Sequence, residues 1–274
     1  MKPMENPARL KASAAYNAAA DHFDEPPLAF WERHGRVTVS LLDLGPGDTV
    51  LDVGCGTGAS AIPAAEAVGH TGYVIGVDVA DNMLERARAK ALSRDLAHTE
   101  FRLGDMSATG YTNETFDAAI SVFSIFFVAD IEGQVKELWR MIKPGGKLAV
   151  TVWCPGAFEP GASIFGEEVR RFRPDLTVAA RPWERLTSEQ KLWKLFEDVG
   201  IPRPEVYTAS DAQLLRTPED WWTVAMGSGY RWEIEQLSPV QREIVRTRMG
   251  ERLKAMNAST MECSALCAIA RKPI

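Results

Sequence analysis

Between residues 48 and 153, apolar residues fall in short runs separated by helical patterns. The runs at 49–53, 73–78, 99–103, 117–122 and 147–153 are continuous rather than alternating. Strands covered by helices on both faces have this pattern, whereas a strand with one wet face alternates. The exchange of strand and helix predicts βαβ units and a parallel sheet. Asp130 is the expected cap of a helix with Ile131, Val135, Leu138 and Ile142 on one face, stopped by Lys143-Pro144-Gly145-Gly146. Thr187 and Gln190 form a candidate capping box for a helix carrying Leu192, Leu195, Phe196 and Val199, with Gly200 as its stop. A sixth strand is expected over about 205–215 and a last over about 260–270.

Three segments fall outside this alternation: a helical N-terminus over 1–44, a Gly/Pro/Arg-rich stretch over about 155–185, and a mainly helical insertion over 217–257. In the last, Thr217-Pro218 and Ser238-Pro239 read as helix starts with proline at the first helical position. The chain is therefore expected to form a single domain over 1–274, with a core of about 45–155, 188–215 and 259–272. The other segments would be lids near the carboxyl ends of the strands, where open α/β sheets bind ligands.

Composition narrows the class. The 274 residues are 46% hydrophobic and 25% charged, ordinary for a globular chain. Lys and Arg total 31 against 37 Asp and Glu, a formal charge of −6, which argues against a protein that coats nucleic acid. The four cysteines fit neither zinc spacing nor a disulfide framework; no metal is expected, and Cys263 and Cys267 read as buried thiols. The chain shows neither a signal-peptide core nor a membrane-length apolar run, so a cytoplasmic setting is expected.

The chemistry concentrates at VLDVGCGTG, residues 50–58. An apolar strand runs into Gly54, Gly56 and Gly58 and then into a helical stretch from Ala59 to Val68, with Pro63 required near its first turn. Glycines at such a turn let backbone approach a ligand, and the helix start offers free N–H groups. Gly54, Gly56 and Ala59 also satisfy the looser dinucleotide fingerprint, so the glycines alone do not separate a nicotinamide cofactor from S-adenosylmethionine. Asp78 closes the second strand, where a carboxylate can accept both ribose hydroxyls through charged hydrogen bonds of roughly 1.5–3 kcal/mol each. Asp105 and Met106, after the third strand, suit an adenine amino group and ring face. Asp52 can organise the glycine turn or the amino-acid end of a ligand.

Five segments in this order resemble the class I S-adenosylmethionine-dependent methyltransferases: VLDVGCGTG, VIGVDVADNML, FRLGDM, FDAAISVFSIFF and MIKPGGKLAVTVW. Within the class they are most similar to small-molecule enzymes related to the quinone-biosynthesis C-methyltransferases. The resemblance implies a doubly wound, Rossmann-like sheet of seven strands in the order 3-2-1-4-5-7-6, the seventh antiparallel, here with a helical cap. It implies that Gly54, Cys55 and Gly56 line the methionine part of the cofactor, with Gly58 completing the turn. Asp78 would take the ribose, Val79 and Met83 would flank the adenosine, and Asp105 and Met106 would hold the adenine. Ser121 would lie near the methionine carboxylate or sulfonium, while Tyr16 and Phe23 resemble aromatics that cover the cofactor in relatives.

The reaction implied is in-line displacement of the sulfonium methyl by a small-molecule acceptor. Its leaving group is already activated, so proximity and a dry pocket can supply most of the catalysis. No catalytic base is assigned; His22 is the nearest candidate by lid position. Phe126, Trp221, Trp222 and Tyr230 are the expected acceptor-side residues, with cap core as the other reading of the two tryptophans and the tyrosine. Cys154-Pro155 lacks the partner motif a nucleophilic cysteine would need, and the arginines from Arg242 to Arg252 read as a solvated helical face. The alternatives are a non-catalytic cofactor-binding module, an RNA methyltransferase and an NAD-dependent oxidoreductase. Charge and the fourth motif weigh against RNA; the absence of a Tyr-x-x-x-Lys pair and the presence of Asp105 weigh against nicotinamide chemistry.

Overall fold

The computed structural model describes residues 7–176 and 181–274. Five parallel strands form its centre: β1 (Thr49–Val53), β2 (Tyr73–Asp78), β3 (Thr99–Leu103), β4 (Phe116–Val122) and β5 (Ile142–Trp153). Helices α3 (Ala61–Val68), α4 (Asp81–Ser93) and α5 (Ile131–Met141) make the crossovers. Beyond β5 lie β9 (Ala265–Arg271) and β6 (Glu205–Ala209), β9 running antiparallel to both neighbours. The sheet order β3-β2-β1-β4-β5-β9-β6 is the one expected, β9 taking the place of the seventh strand.

Successive residues of each central strand feed two cores. Leu51, Ile75, Ala119 and Val150 face one, while Val50, Val74, Ala118 and Ala149 face the other. Both faces are dry, which is why the strands read as unbroken apolar runs. Asp130 caps α5 by accepting from the Gly133 amide at 2.8 Å, as expected. The helix ends one residue early, however. Ile142 pairs with Phe116 as the start of β5, and 143–146 form an irregularity before Lys147 meets Ala118.

Three other expectations shift. The cap of α7 (Glu189–Asp198) is Ser188, which accepts from the Lys191 amide, rather than Thr187. Helix α3 starts at Ala61, later than Ala59, leaving Pro63 in its first turn, where its missing N–H is harmless. The long sixth and last strands are each broken. The Asp211 amide donates to Ser264 Oγ at 3.0 Å and the Cys263 amide to the Asp211 carbonyl at 3.1 Å. These bonds divert β7 (Ala212–Leu214) and β8 (Thr260–Glu262) into a separate two-stranded ribbon.

The N-terminal helix α1 (Pro7–Ala19) reaches the carboxyl side of the sheet through Tyr16, while α2 (Phe30–Leu42) packs along one sheet face, with Val39 and Leu42 in the core and Thr38 bonded to Thr151. His34 of α2 bonds the Cys263 carbonyl through Nε2 at 2.7 Å, and Arg33 donates twice to Asp211 Oδ2, tying α2 to the ribbon. Helices α6 (Gly161–Arg170), α8 (Pro218–Met226), α9 (Arg231–Glu235) and α10 (Pro239–Ala255) pack together as a cap. Both Pro218 and Pro239 occupy the first helical position, behind capping boxes on Thr217 and Ser238. The arginines of α10 pair with Glu235, Glu219, Glu167 and Glu168. No helix among the described residues is long and apolar enough to cross a membrane.

Gly35 is where α2 touches the loop after the glycine turn. A Cβ there would stand 2.1 Å from the Ala59 carbonyl oxygen, a backbone atom that cannot rotate away. Gly35→Ala should therefore lower stability by about 1–3 kcal/mol, the usual cost of overpacking. A melting temperature equal to that of the wild type would show that α2 can lift freely from the turn.

Candidate active site

Where β1 ends, Gly54 and Gly56 take φ of +67° and +52°, a region that side chains disfavour. Gly54 is also crowded, since a Cβ there would lie 2.3 Å from the Ser124 Cβ. The Gly54 and Cys55 amides both donate to the Val77 carbonyl, at 2.7 and 3.2 Å. The Gly56 amide instead donates to Asp78 Oδ2 at 2.8 Å, and the Ala80 amide donates to Asp78 Oδ1 at 2.9 Å. One carboxylate thus fixes the turns after β1 and β2 together. Burial pushes the Asp78 carboxyl up, and the bonds from these amides oppose that shift.

Around this clamp opens a crevice of about 780 Å³ of empty space, part of it open to solvent. Gly54, Cys55, Gly56, Asp78, Val79, Met83 and Met106 line it from the sheet side, and Tyr16 and Phe23 from the N-terminal segment. These nine expected cofactor residues therefore come together. Four others do not line it. Asp52 is fully buried beneath the turn, its Oδ2 accepting from Ser60 Oγ at 2.7 Å and its Oδ1 without a partner. Gly58 faces inward, where a Cβ would be 2.9 Å from Ile62 Cγ1. Asp105 caps the 3₁₀ turn at Met106–Ala108 by accepting from the Ser107 amide at 2.9 Å. Ser121 is buried against Ser124, which donates to the Val53 carbonyl at 2.7 Å.

Sequence reasoning missed Trp31, Phe123 and Ser124, which also line the crevice. Trp31 stacks on Phe23 with ring centroids 5.1 Å apart, and Phe123 stacks on Trp153 at 3.6 Å. Phe123 holds φ at +52°, a conformation its residue type does not advertise. Only the aromatic run FSIFF after the fourth strand hinted at this wall.

Behind Tyr16, Trp31 and Phe123 lies a small gap of about 10 Å³, room for about one water, whose walls include Phe126, Trp183 and Tyr230. Tyr16, Phe126 and Trp183 also border an outer cavity of about 420 Å³. Phe126 thus lines both spaces and Tyr230 the inner gap, whereas Trp221 and Trp222 line neither. Trp221 is fully buried against Gly161 of α6 and donates from Nε1 to the Phe158 carbonyl at 3.1 Å, which makes it cap core. Trp222 packs, partly buried, on the same core. His22 lies outside both spaces, its ring paired with Glu25 and Asp21. Cys154 is absent from both linings, and burial pushes its thiol up.

A doubly wound sheet with a glycine turn and an acidic second strand over one ligand crevice defines a nucleotide-cofactor enzyme of the methyltransferase architecture. A methyltransferase domain model matches residues 50–146. The nocamycin O-methyltransferase of Saccharothrix syringae is 32% identical over 257 residues, covering 84% of this chain and 88% of that one. Aklanonic acid methyltransferase DauC of Streptomyces sp. (strain C5) is 32% identical over 152 residues, 55% of this chain and 69% of its own. Among solved structures, a putative methyltransferase from Bacillus halodurans C-125 superposes with a TM-score of 0.59 at 19% identity, covering 87% of this chain and 99% of that one. The chain belongs to the class I S-adenosylmethionine-dependent methyltransferases, on the small-molecule branch.

Asp52 gives the site a pH signature. Burial, with the Asp78 charge adding to it, pushes the Asp52 carboxyl from an ordinary 3.8 up to about 7. Through that window the unfolded chain has lost this proton while the folded protein keeps it, so the group's contribution to stability falls as pH rises. Asp52→Asn lacks the effect. Thermal unfolding of both proteins from pH 4 to pH 7.5 should show the wild type losing ground to the variant. Parallel profiles would mean that Asp52 ionises normally.

Proposed function

We propose that the crevice beside Asp78 holds S-adenosylmethionine and that the outer cavity bordered by Tyr16, Phe126 and Trp183 holds a small-molecule acceptor. The observation that carries this reading is the Asp78 clamp, a buried carboxylate at the end of β2 beside two left-handed glycines, lining the crevice. A ribose suits such a carboxylate, whose lone pairs beyond the two amide bonds can accept its hydroxyls. Val79 and Met83 then flank the adenosine, Met106 covers the adenine, and Gly54, Cys55 and Gly56 follow the methionine part. Tyr16 and Phe23 close over it. Asp52, Gly58, Asp105 and Ser121 support this surface from behind: they hold the turn, the helix packing, the 3₁₀ turn and Ser124 in place.

The cofactor brings a methyl group on a sulfonium, already activated for transfer. The chain's own part is to align the acceptor and to keep water out, and the aromatic walls around Trp31 and Phe123 suit both tasks. The near full-length match to an O-methyltransferase supports an oxygen acceptor. We read 217–257 as a cap that shapes the outer cavity, with Gly229, Trp232 and Glu233 lining it. The four free thiols fit a reducing, cytoplasmic setting.

Asp78→Asn keeps an oxygen for one backbone amide and removes the charge. S-adenosylhomocysteine affinity, measured by calorimetry, should fall by about 10- to 100-fold, the loss of one or two charged hydrogen bonds. Circular dichroism should show the fold retained. Unchanged affinity in a folded variant would remove Asp78 from the cofactor site.

A further inference from the structure

The outer cavity combines an apolar wall with an unbalanced charge. Tyr16, Phe126, Phe127, Val128 and Trp183 give it aromatic and aliphatic faces, which suit a ring-bearing acceptor. Its charged lining is Lys11, Arg181 and Arg185 against one carboxylate, Glu233. Arg181 is paired with Glu233, so those two charges are matched. Arg185 donates through Nη1 and Nη2 to the Val128 and Ala129 carbonyls, which occupy its donors without neutralising it.

Lys11 is different. Its Nζ sits 3.6 Å from the centroid of the Trp232 ring, and among the described residues it has neither a hydrogen-bond acceptor nor a carboxylate within ion-pair distance. The residue is partly buried, and burial lowers its pKa, with Glu233 opposing that shift and Arg181 adding to it. The ammonium therefore bears a desolvation cost while its three donors meet only a ring face. Position separates this charge from the chemistry. Ala12, Tyr16 and Phe127 line the cofactor crevice as well as the outer cavity, so the reacting end of an acceptor belongs at that shared edge. Lys11, Arg185 and Trp232 line the outer cavity but not the crevice.

We infer that Lys11 Nζ determines specificity by pairing with a single carboxylate on an aromatic acceptor whose methylated atom lies at the other end. The inference rests on the outer cavity being the acceptor site. One negative charge fits better than two, because Glu233 lines the same cavity and would repel a dianion. Lys11 takes no part in the transfer. It sets which acceptor is held and which way round.

The test compares 2-naphthoate with its neutral isostere 2-naphthamide, by calorimetry on the full-length protein saturated with S-adenosylhomocysteine. Naphthoate should bind about tenfold tighter or more, the worth of one charged hydrogen bond, and the difference should shrink as salt is raised. Lys11→Met keeps an unbranched stem and removes the charge. It should bring the two ligands within about threefold of each other, with naphthamide affinity unmoved. Lys11→Arg should retain most of the preference, and 2-naphthyl phosphate, a dianion, should bind the wild type more weakly than naphthoate. Equal binding of naphthoate and naphthamide, a preference that survives in Lys11→Met, or tighter binding of the phosphate would overturn the inference and leave the cavity as the acceptor site. Binding of neither naphthoate nor naphthamide would overturn the cavity reading, and this inference with it.

Discussion

Two amides at the carboxyl end of the sheet, those of Gly56 and Ala80, pair with Asp78 rather than with a carbonyl. This pairing joins the loop after β1 to the loop after β2, and both loops to the entrance of the crevice. With the carboxylate in place, Gly54 and Gly56 can hold their left-handed turn, and Ser124 can pack on Gly54 from the end of β4. Strand order reverses between β1 and β4, so the turn opens at the one position where helices diverge to the two faces. Removing the clamp would take from the Gly56 and Ala80 amides the acceptor they share.

A second set of contacts carries that order outward. Phe23, Trp31, Phe123 and Trp153 form a continuous aromatic series from the N-terminal segment to the end of β5. Each pair contributes about 0.5–1.5 kcal/mol beyond the area it buries. Phe158, Trp183 and Tyr230 extend the series into the cap. This aromatic wall is therefore also the joint between sheet, lid helices and cap. Substitutions there should disturb the packing of all three together.

The parts of this design that follow local rules were legible in the sequence. Buried strands announce themselves as apolar runs, the Gly54 and Gly56 turn as closely spaced glycines, and the caps at Asp130, Thr217 and Ser238 by residue type. The sheet-side cofactor residues reach the crevice for the same reason, since strand ends fix where their neighbours point, while Tyr16 and Phe23 come to it from the N-terminal segment. What was not legible depended on tertiary choices. Trp31 comes to the site because Gly35 lets α2 settle on Ala59, a contact with no local signature. Asp52 and Ser121 carry the right chemistry but sit one layer below the surface, where they bond to Ser60 and Ser124. Trp221 looked like a pocket aromatic, and the phase of α8 turns it into the cap core instead.

The claim on which the rest depends is that the Asp78 clamp and the glycine turn form the cofactor site. Hydrogen–deuterium exchange with and without S-adenosylhomocysteine addresses it residue by residue. The account predicts slowed exchange over 54–58 and 79–83 and around Met106 and Tyr16, with α10 unchanged. Protection confined to the cap, with none at the glycine turn, would contradict it.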